Sequence, residues 1–159
     1  MVQTSVYPSK LKCAKVIPVY KTGDGTQPGN YRPISLLSVF NRLFERLMHK
    51  RLSSFIEKEN LYNAQYGFRE NCSTQHAILD IVNRIQSNTE AGLYSCGVFI
   101  DLKKAFDKVD HTILLCKLSK YGILGIINDW FVSYLTNRIQ TTQVEVSISS
   151  KGKILFGVP

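Results

Sequence analysis

The sequence predicts an α+β fold, and two observations predict it. Apolar residues recur at helical spacing over 36–56, 77–85, 111–121 and 126–135. Around those stretches lie short runs rich in β-formers, at 15–20, 98–100 and 144–156, too brief and too differently spaced to be helices. With 159 residues the chain can form one domain that buries about 70% of its unfolded surface. A hydrophobic content of 44% and a charged content of 20% are those of a globular protein and exclude a disordered one.

Taken in order, Lys15-Val16-Ile17-Pro18-Val19-Tyr20 reads as a strand that Pro18 pushes towards a sheet edge or a bulge. Residues 21–30 carry Gly23, Gly25, Pro28 and Gly29 among polar side chains, which is loop chemistry. Tyr31 to Ser35 leads into a helix whose apolar positions, Leu36, Val39, Phe40, Leu43, Phe44, Leu47 and onward to Ile56, trace one face. Arg42, Arg46, His49 and Lys50 fall on the other face, as a solvated stripe or a binding surface. Residues 58–62 end that helix. A second helix starts at Ser73 or Thr74, either of which can accept from the free amides of the first turn, and Ala77, Ile78, Ile81, Val82 and Ile85 form its apolar stripe. A helix over 111–121 is stopped by Gly122, and another over 126–135 carries Trp130 and Phe131. Val144, Val146 and Ile148 alternate as in a half-buried strand, and Lys151-Gly152 turns it into Ile154-Leu155-Phe156.

The formal net charge of +8 is uneven: residues 1–70 hold 11 Lys/Arg against 5 Asp/Glu, whereas 71–159 hold 9 against 7. A basic first half suits a polyanion, because neutralising phosphates releases counterions. Cysteines at 13, 72, 96 and 116 form no Cys-x-x-Cys pair and have no histidine at ligand spacing, which argues against zinc and for reduced thiols. An intracellular protein of the nucleus or cytoplasm, not a secreted one, is therefore expected. No apolar run approaches the ~20 residues of a membrane helix.

The chemistry concentrates around Cys96 to Asp107. Val98-Phe99-Ile100 reads as a buried strand that delivers Asp101 to its polar far end. A carboxylate at the mouth of an apolar strand costs several kcal/mol unless compensated. A divalent cation would compensate it, and so would a capping role at the next turn; the pattern leaves both open. Asp107 and Asp110 read as helix-start carboxylates favoured by the helix dipole.

Three separated segments then occur in one order: Lys21-Thr22-Gly23-Asp24 with Asn30 to Leu37, then Gln65-Tyr66-Gly67-Phe68-Arg69 followed by Ser73-Thr74, then Phe99 to Asp107. The last closely resembles the first palm motif of reverse transcriptases, and the first two resemble the fingers motifs of non-LTR, LINE-like retrotransposon enzymes of the jockey type. The resemblance covers residues 12–159. It implies a partial fingers–palm right-hand fold, helices packed on a small, mostly antiparallel sheet, with fingers over about 1–95 and the start of the palm over 96–159.

The resemblance also implies roles. Asp101 would be the catalytic carboxylate and a ligand of magnesium ions. Phe106 would pack against the sugar of the incoming nucleotide and exclude a 2′-hydroxyl, although most phenylalanines are simply core. Arg69 would hold the triphosphate, for which a planar, permanently charged guanidinium is suited, and Leu102 would line the same nucleotide site. Lys21, Arg32 and Gly67 would approach template or backbone, with Arg32 equally readable as a structural ion-pair former; Gly67 lets backbone come close. Lys103 and Lys104 read as solvated lysines beside a turn. Partners would be an RNA template, a DNA primer and deoxynucleoside triphosphates, with no membrane.

The sequence departs from the family pattern in one respect: it contains no Asp-Asp dipeptide, the element that supplies the remaining palm carboxylates. The expectation is a truncated fragment of an RNA-directed DNA polymerase from a mobile element, inactive as an isolated chain. The alternatives are a non-catalytic nucleic-acid-binding remnant and an inert product of a degenerate element.

Overall fold

The structure, a computed structural model, describes residues 4–59 and 62–158. Two compact units are present, one built from the chain up to Arg51 together with Lys104 onward, the other from Leu52–Lys103.

The first unit holds a mixed sheet. Strand β1 (Cys13–Tyr20) pairs antiparallel with β2 (Tyr31–Leu36) and parallel with β3 (Arg138–Val144). The far edge of β3 is shared by β5 (Gly152–Ile154) and β4 (Ser147–Ile148), both antiparallel to it. Pro18 stands opposite Pro33 in the β1–β2 register, and β3 reaches only as far as Val16. Two residues without an N–H face each other at no cost in a non-hydrogen-bonded pair, and on its other side Pro18 has no neighbouring strand to disappoint. The edge position expected for Pro18 is thus met on one flank of an otherwise central strand.

Helices α3 (His111–Lys120) and α4 (Ile126–Leu135) fall where the periodicity places them. Asp110 caps α3, its carboxylate accepting from Ile113 N at 3.0 Å, and Gly122 follows the helix at φ +83°. Tyr7, Ala14, Val16, Leu118, Ile123, Trp130 and Leu135 form the buried core. Trp130 stacks on Tyr134 with centroids 5.3 Å apart and meets Tyr7 edge-on at 5.4 Å.

Helix α1 (Val39–Ile56) begins three residues later than its apolar pattern, because Tyr31–Leu36 is taken up by β2. Its buried residue is the polar Asn41, while Val39 and Phe40 are exposed. Asn41 accepts from the Tyr7 hydroxyl and donates to Glu45 Oε1 at 2.8 Å, so hydrogen bonds rather than the apolar stripe seat this end of the helix. A 3-10 turn, Glu57–Glu59, follows; part of the expected helix end at 58–62 lies outside the described residues.

In the second unit, α2 (Thr74–Glu90) starts at Ser73 as expected. Ser73 N donates to His76 Nδ1 at 3.1 Å, a capping box with histidine in the place usually held by Glu or Gln. Gly92, at φ +71°, ends the helix with Leu93 N donating to Asn88 O at 2.8 Å. The α2 stripe of Ile78, Ile81, Val82 and Ile85 is exposed.

Two strand expectations are corrected. Residues 93–102 form no strand, and Val98, Phe99 and Ile100 are 82–88% exposed. A strand exists only where its amides and carbonyls find a ladder partner, and no strand in the described residues pairs with this segment. The strand expected over 144–148 instead turns at Glu145, at φ +51°, and the long strand is the preceding Arg138–Val144.

Candidate functional site

In the first unit the β1–β2 hairpin presents Lys21 and Arg32. Lys21 N donates to Asn30 O at 2.9 Å at the base of the loop, and Arg32 lies opposite Val19. The loop between them is ordered by its own side chains. Asn30 Nδ2 donates to Asp24 O at 2.8 Å, Tyr31 OH to Gly25 O at 2.8 Å, and Thr26 N to the Asp24 carboxylate at 2.9 Å. The Thr26 amide and then its hydroxyl hold the Asp24 carboxyl below the usual carboxylate range. Gly23, at φ +98°, packs so tightly on the Asn30 side chain that a Cβ would lie 2.7 Å from its amide nitrogen. Lys21 and Arg32 are both exposed and in no ion pair among the described residues.

In the second unit the residues 62–72 fold as a loop. Arg69 Nη1 turns to the carbonyls of Tyr62 and Gln65, both at 3.5 Å, and Gln65 Nε2 donates to Gly67 O at 2.9 Å. Gly67 and Arg69 therefore share one loop. Between them Phe68 is 92% exposed at φ +60°, a strained conformation for a bulky side chain. Asp101 and Leu102 lie in the exposed, strandless segment, so Asp101 is not delivered by a buried strand.

Phe106 belongs again to the first unit. It opens a 3-10 turn, Phe106–Lys108, and is 58% exposed, so it is not a core aromatic here. The turn is joined to a distant part of the chain: Val158 N donates to Phe106 O at 3.1 Å and Gly157 N to Val109 O at 2.8 Å. The Gly157 carbonyl accepts from His111 Nε2 at 2.7 Å. Asp107, Gly157 and Val158 border a cavity of about 600 Å³ whose other walls include Val16, Ser35 and Gln140 of the sheet. Neither His111 nor Gly157 stands out as a site residue in the sequence; nothing in a pattern of residue types joins positions so far apart.

Residues 19–157 match the family described as reverse transcriptase (RNA-dependent DNA polymerase). The chain belongs to this family. It is 33% identical over its whole length to a probable RNA-directed DNA polymerase from transposon BS of Drosophila melanogaster, and covers 18% of that protein. It is 32% identical, over 96% of its length, to the RNA-directed DNA polymerase from mobile element jockey of Drosophila melanogaster, covering 17% of it. A Pol polyprotein from the type-1 retrotransposable element R2 of Popillia japonica is 32% identical over 78% of the chain, which again covers 17% of that relative. The resemblance to LINE-like reverse transcriptases thus holds along the whole chain, while the chain spans under a fifth of these relatives.

Reverse transcriptases are generally metal-dependent, which makes Asp101 the residue to test as a ligand. Magnesium demands a near-octahedral set of oxygens. Among the described residues no group of three or more His, Cys, Asp or Glu gathers to hold a metal, and Asp101 is a single exposed carboxylate. These residues do not by themselves make a magnesium site. Cys13, Cys72, Cys96 and Cys116 are free thiols. No described helix is long and apolar enough to cross a membrane.

Proposed function

We propose that the chain is the fingers and opening palm segment of a LINE-like RNA-directed DNA polymerase, contributing to template-directed nucleotidyl transfer. Within that reading Lys21, Arg32 and Gly67 meet template or phosphate backbone. Arg69, Leu102 and Phe106 meet the incoming nucleotide, and Asp101 supplies one of the carboxylates that a metal pair needs. The observation that carries the reading is the β1–β2 hairpin. Its loop is ordered by its own hydrogen bonds and displays two cations that no carboxylate neutralises among the described residues. A preorganised pair of exposed positive charges is what a polyphosphate or a nucleic-acid backbone recognises.

The test is a titration with primed RNA template across salt concentrations. Binding should weaken linearly with log salt, and Lys21→Ala or Arg32→Ala should each lower the slope by about 0.7–0.9. A slope unchanged in both variants would remove the hairpin from the interface.

A second reading, binding without catalysis, is favoured for the isolated chain because no group of three or more metal-ligating side chains gathers among the described residues. Retention of salt-sensitive binding without any primer extension separates it from an active enzyme.

A further inference from the structure

We propose that His111 and Gly157 are positioning residues for Phe106, holding its turn so that the ring meets the nucleotide sugar at a fixed depth. The inference rests on the reading of Phe106 as the sugar-facing side chain, and deepens it.

The turn Phe106–Lys108 is short, and its backbone geometry is weak at one end. Its own backbone bonds are Asp107 N to Lys104 O at 3.1 Å and Lys108 N to Ala105 O at 3.4 Å, and it is entered through Lys104 at φ +57°. Three-residue 3-10 turns have poor hydrogen-bond geometry and are shaped by what they pack on. Here both ends are tied from outside. Val158 N holds the Phe106 carbonyl and Gly157 N holds the Val109 carbonyl, at 3.1 and 2.8 Å.

The donors must themselves be fixed, and His111 does this. A carbonyl only accepts, so the 2.7 Å contact between His111 Nε2 and Gly157 O requires that Nε2 carry the hydrogen. The imidazole stands on the first residue of α3, whose start is locked by the Asp110 cap. Gly157 is the residue that permits the fit. It is buried at φ +87°, and a Cβ there would lie 3.0 Å from both Cα and O of Asp107. Those are backbone atoms of the same turn, so they cannot swing aside as a side chain would. Phe106, Val158, Gly157, His111 and Val109 thus form a closed ring of contacts around the aromatic's backbone. Discrimination by steric exclusion depends on tenths of an ångström, because van der Waals repulsion is steep. Loosening the ring should therefore admit a 2′-hydroxyl while leaving the aromatic in place.

The experiment uses a polymerase in which this chain replaces the matching segment of the transposon BS relative. The readout is the ratio of kcat/KM for ribonucleotides to that for deoxyribonucleotides. Phe106→Val tests the underlying reading and should raise the ratio. His111→Ala should raise it about fivefold, the weight of one lost hydrogen bond, with deoxyribonucleotide turnover within twofold of the parent. His111→Gln, which restores an N–H donor, should bring the ratio back, and Gly157→Ala should raise it.

If Phe106→Val shifts the ratio while His111→Ala and Gly157→Ala do not, the positioning inference falls and the sugar-facing reading stands. Equal loss with both sugars in His111→Ala, unrescued by Gln, also overturns positioning. If Phe106→Val leaves the ratio unchanged, the reading of Phe106 falls and takes the role in selectivity with it. Amide exchange in the unextended chain reports on the ring separately. The Gly157 and Val158 amides should be protected and should exchange faster in His111→Ala; unprotected amides in the parent would overturn the ring itself.

Discussion

The Tyr134 hydroxyl donates to the Glu45 carboxylate at 2.6 Å, joining α4 to α1 across 89 residues of sequence. Asn41 Nδ2 donates to the same oxygen at 2.8 Å, and the Tyr7 hydroxyl donates to Asn41 Oδ1, so four polar side chains form a connected network beside Trp130. Bonds to a charged acceptor are stronger than neutral ones. Tyr134→Phe keeps the stacked ring and deletes one donor to Glu45. It should lower the unfolding free energy by about 1.5–3 kcal/mol, measured by urea denaturation. A loss near zero would mean that water replaces the bond freely.

The same network makes a prediction for alkaline pH. Burial, then the Glu45 charge, push the Tyr7 hydroxyl up to about 12 against the lowering effect of Arg138. Burial, then the bond to Glu45, raise Tyr134 as well. Unfolded tyrosines ionise near pH 10. Between that value and the folded one the native state holds more protons than the unfolded chain, so stability falls as pH rises. The contribution is fully present below pH 10 and is lost as pH climbs towards about 12. Lys12 acts in the opposite sense, its pKa lowered by burial and then by Arg138, so below 10.5 its contribution improves as pH rises. The lysine contribution is complete by pH 10.5, and above that pH only the tyrosine loss continues. Denaturation midpoints should decline from about pH 10.5 upward, where the opposing lysine contribution is complete, and Tyr7→Phe should flatten the decline. A midpoint independent of pH over that range would contradict the burial of both hydroxyls.

Asp107 and Asp110 look alike as helix-start carboxylates, and the structure separates them. Asp110 caps α3 through Ile113 N, whereas Asp107 sits in the 3-10 turn with its side chain exposed. Asp110→Ala should cost about 1 kcal/mol, as losses of helix caps do. Asp107→Ala should stay within about 0.5 kcal/mol of the parent. Equal costs would show that both act through the helix dipole alone.

The features legible in the sequence are those whose causes are local. Ser73 before an apolar period, Asp110 before His111, and Gly122 and Gly92 after helices announce their elements because caps and periodicity act within a few residues. Strands depend on partners that a linear pattern does not name. Val98-Phe99-Ile100 has the composition of a buried strand, yet lies exposed where no described strand pairs with it. Arg138-Ile139-Gln140-Thr141-Thr142-Gln143 has the composition of a loop and forms the strand that joins β1 to β4 and β5. Its buried member is an arginine, 1% exposed, held by Nη1 on Tyr134 O at 3.1 Å and by the Tyr134 ring 4.8 Å from the guanidinium. A charge where alternation calls for an apolar side chain hides a strand from any reading by period.

The exposed run leads to a fourth prediction. Val98, Phe99 and Ile100 lie open beside Tyr94 and Leu102, themselves exposed. Apolar surface of this kind promotes association. Phe99→Ser with Ile100→Ser should lower dye binding and self-association, with unfolding free energy within about 0.5 kcal/mol of the parent because neither ring nor chain packs on a core. A large loss of stability would instead show that the segment is a buried strand, as its composition suggests.

The last prediction concerns Asp101 and Arg69. In the isolated chain no group of three or more His, Cys, Asp or Glu gathers at Asp101 among the described residues, and two-metal chemistry needs several carboxylates. Magnesium should therefore support no primer extension above an Asp101→Ala control. Set in place of the matching segment of the transposon BS relative, the chain should support extension of a primed RNA template, and the two residues should then fail differently. Asp101→Asn preserves shape and removes the charge. It should abolish turnover while leaving the affinity for primed template within twofold. Among the described residues Arg69 bonds to the carbonyls of its own loop, both at 3.5 Å, so little there holds it from reaching a triphosphate. Arg69→Ala should raise KM for the incoming nucleotide by the equivalent of about 1.5–3 kcal/mol, the range of a hydrogen bond to a charged group. Arg69→Lys should recover only part of it, because a point charge cannot make two parallel bonds. Should Arg69→Ala instead depress turnover with every nucleotide at unchanged KM, its bonds to Tyr62 and Gln65 would be its function, and the loop rather than the phosphate its partner.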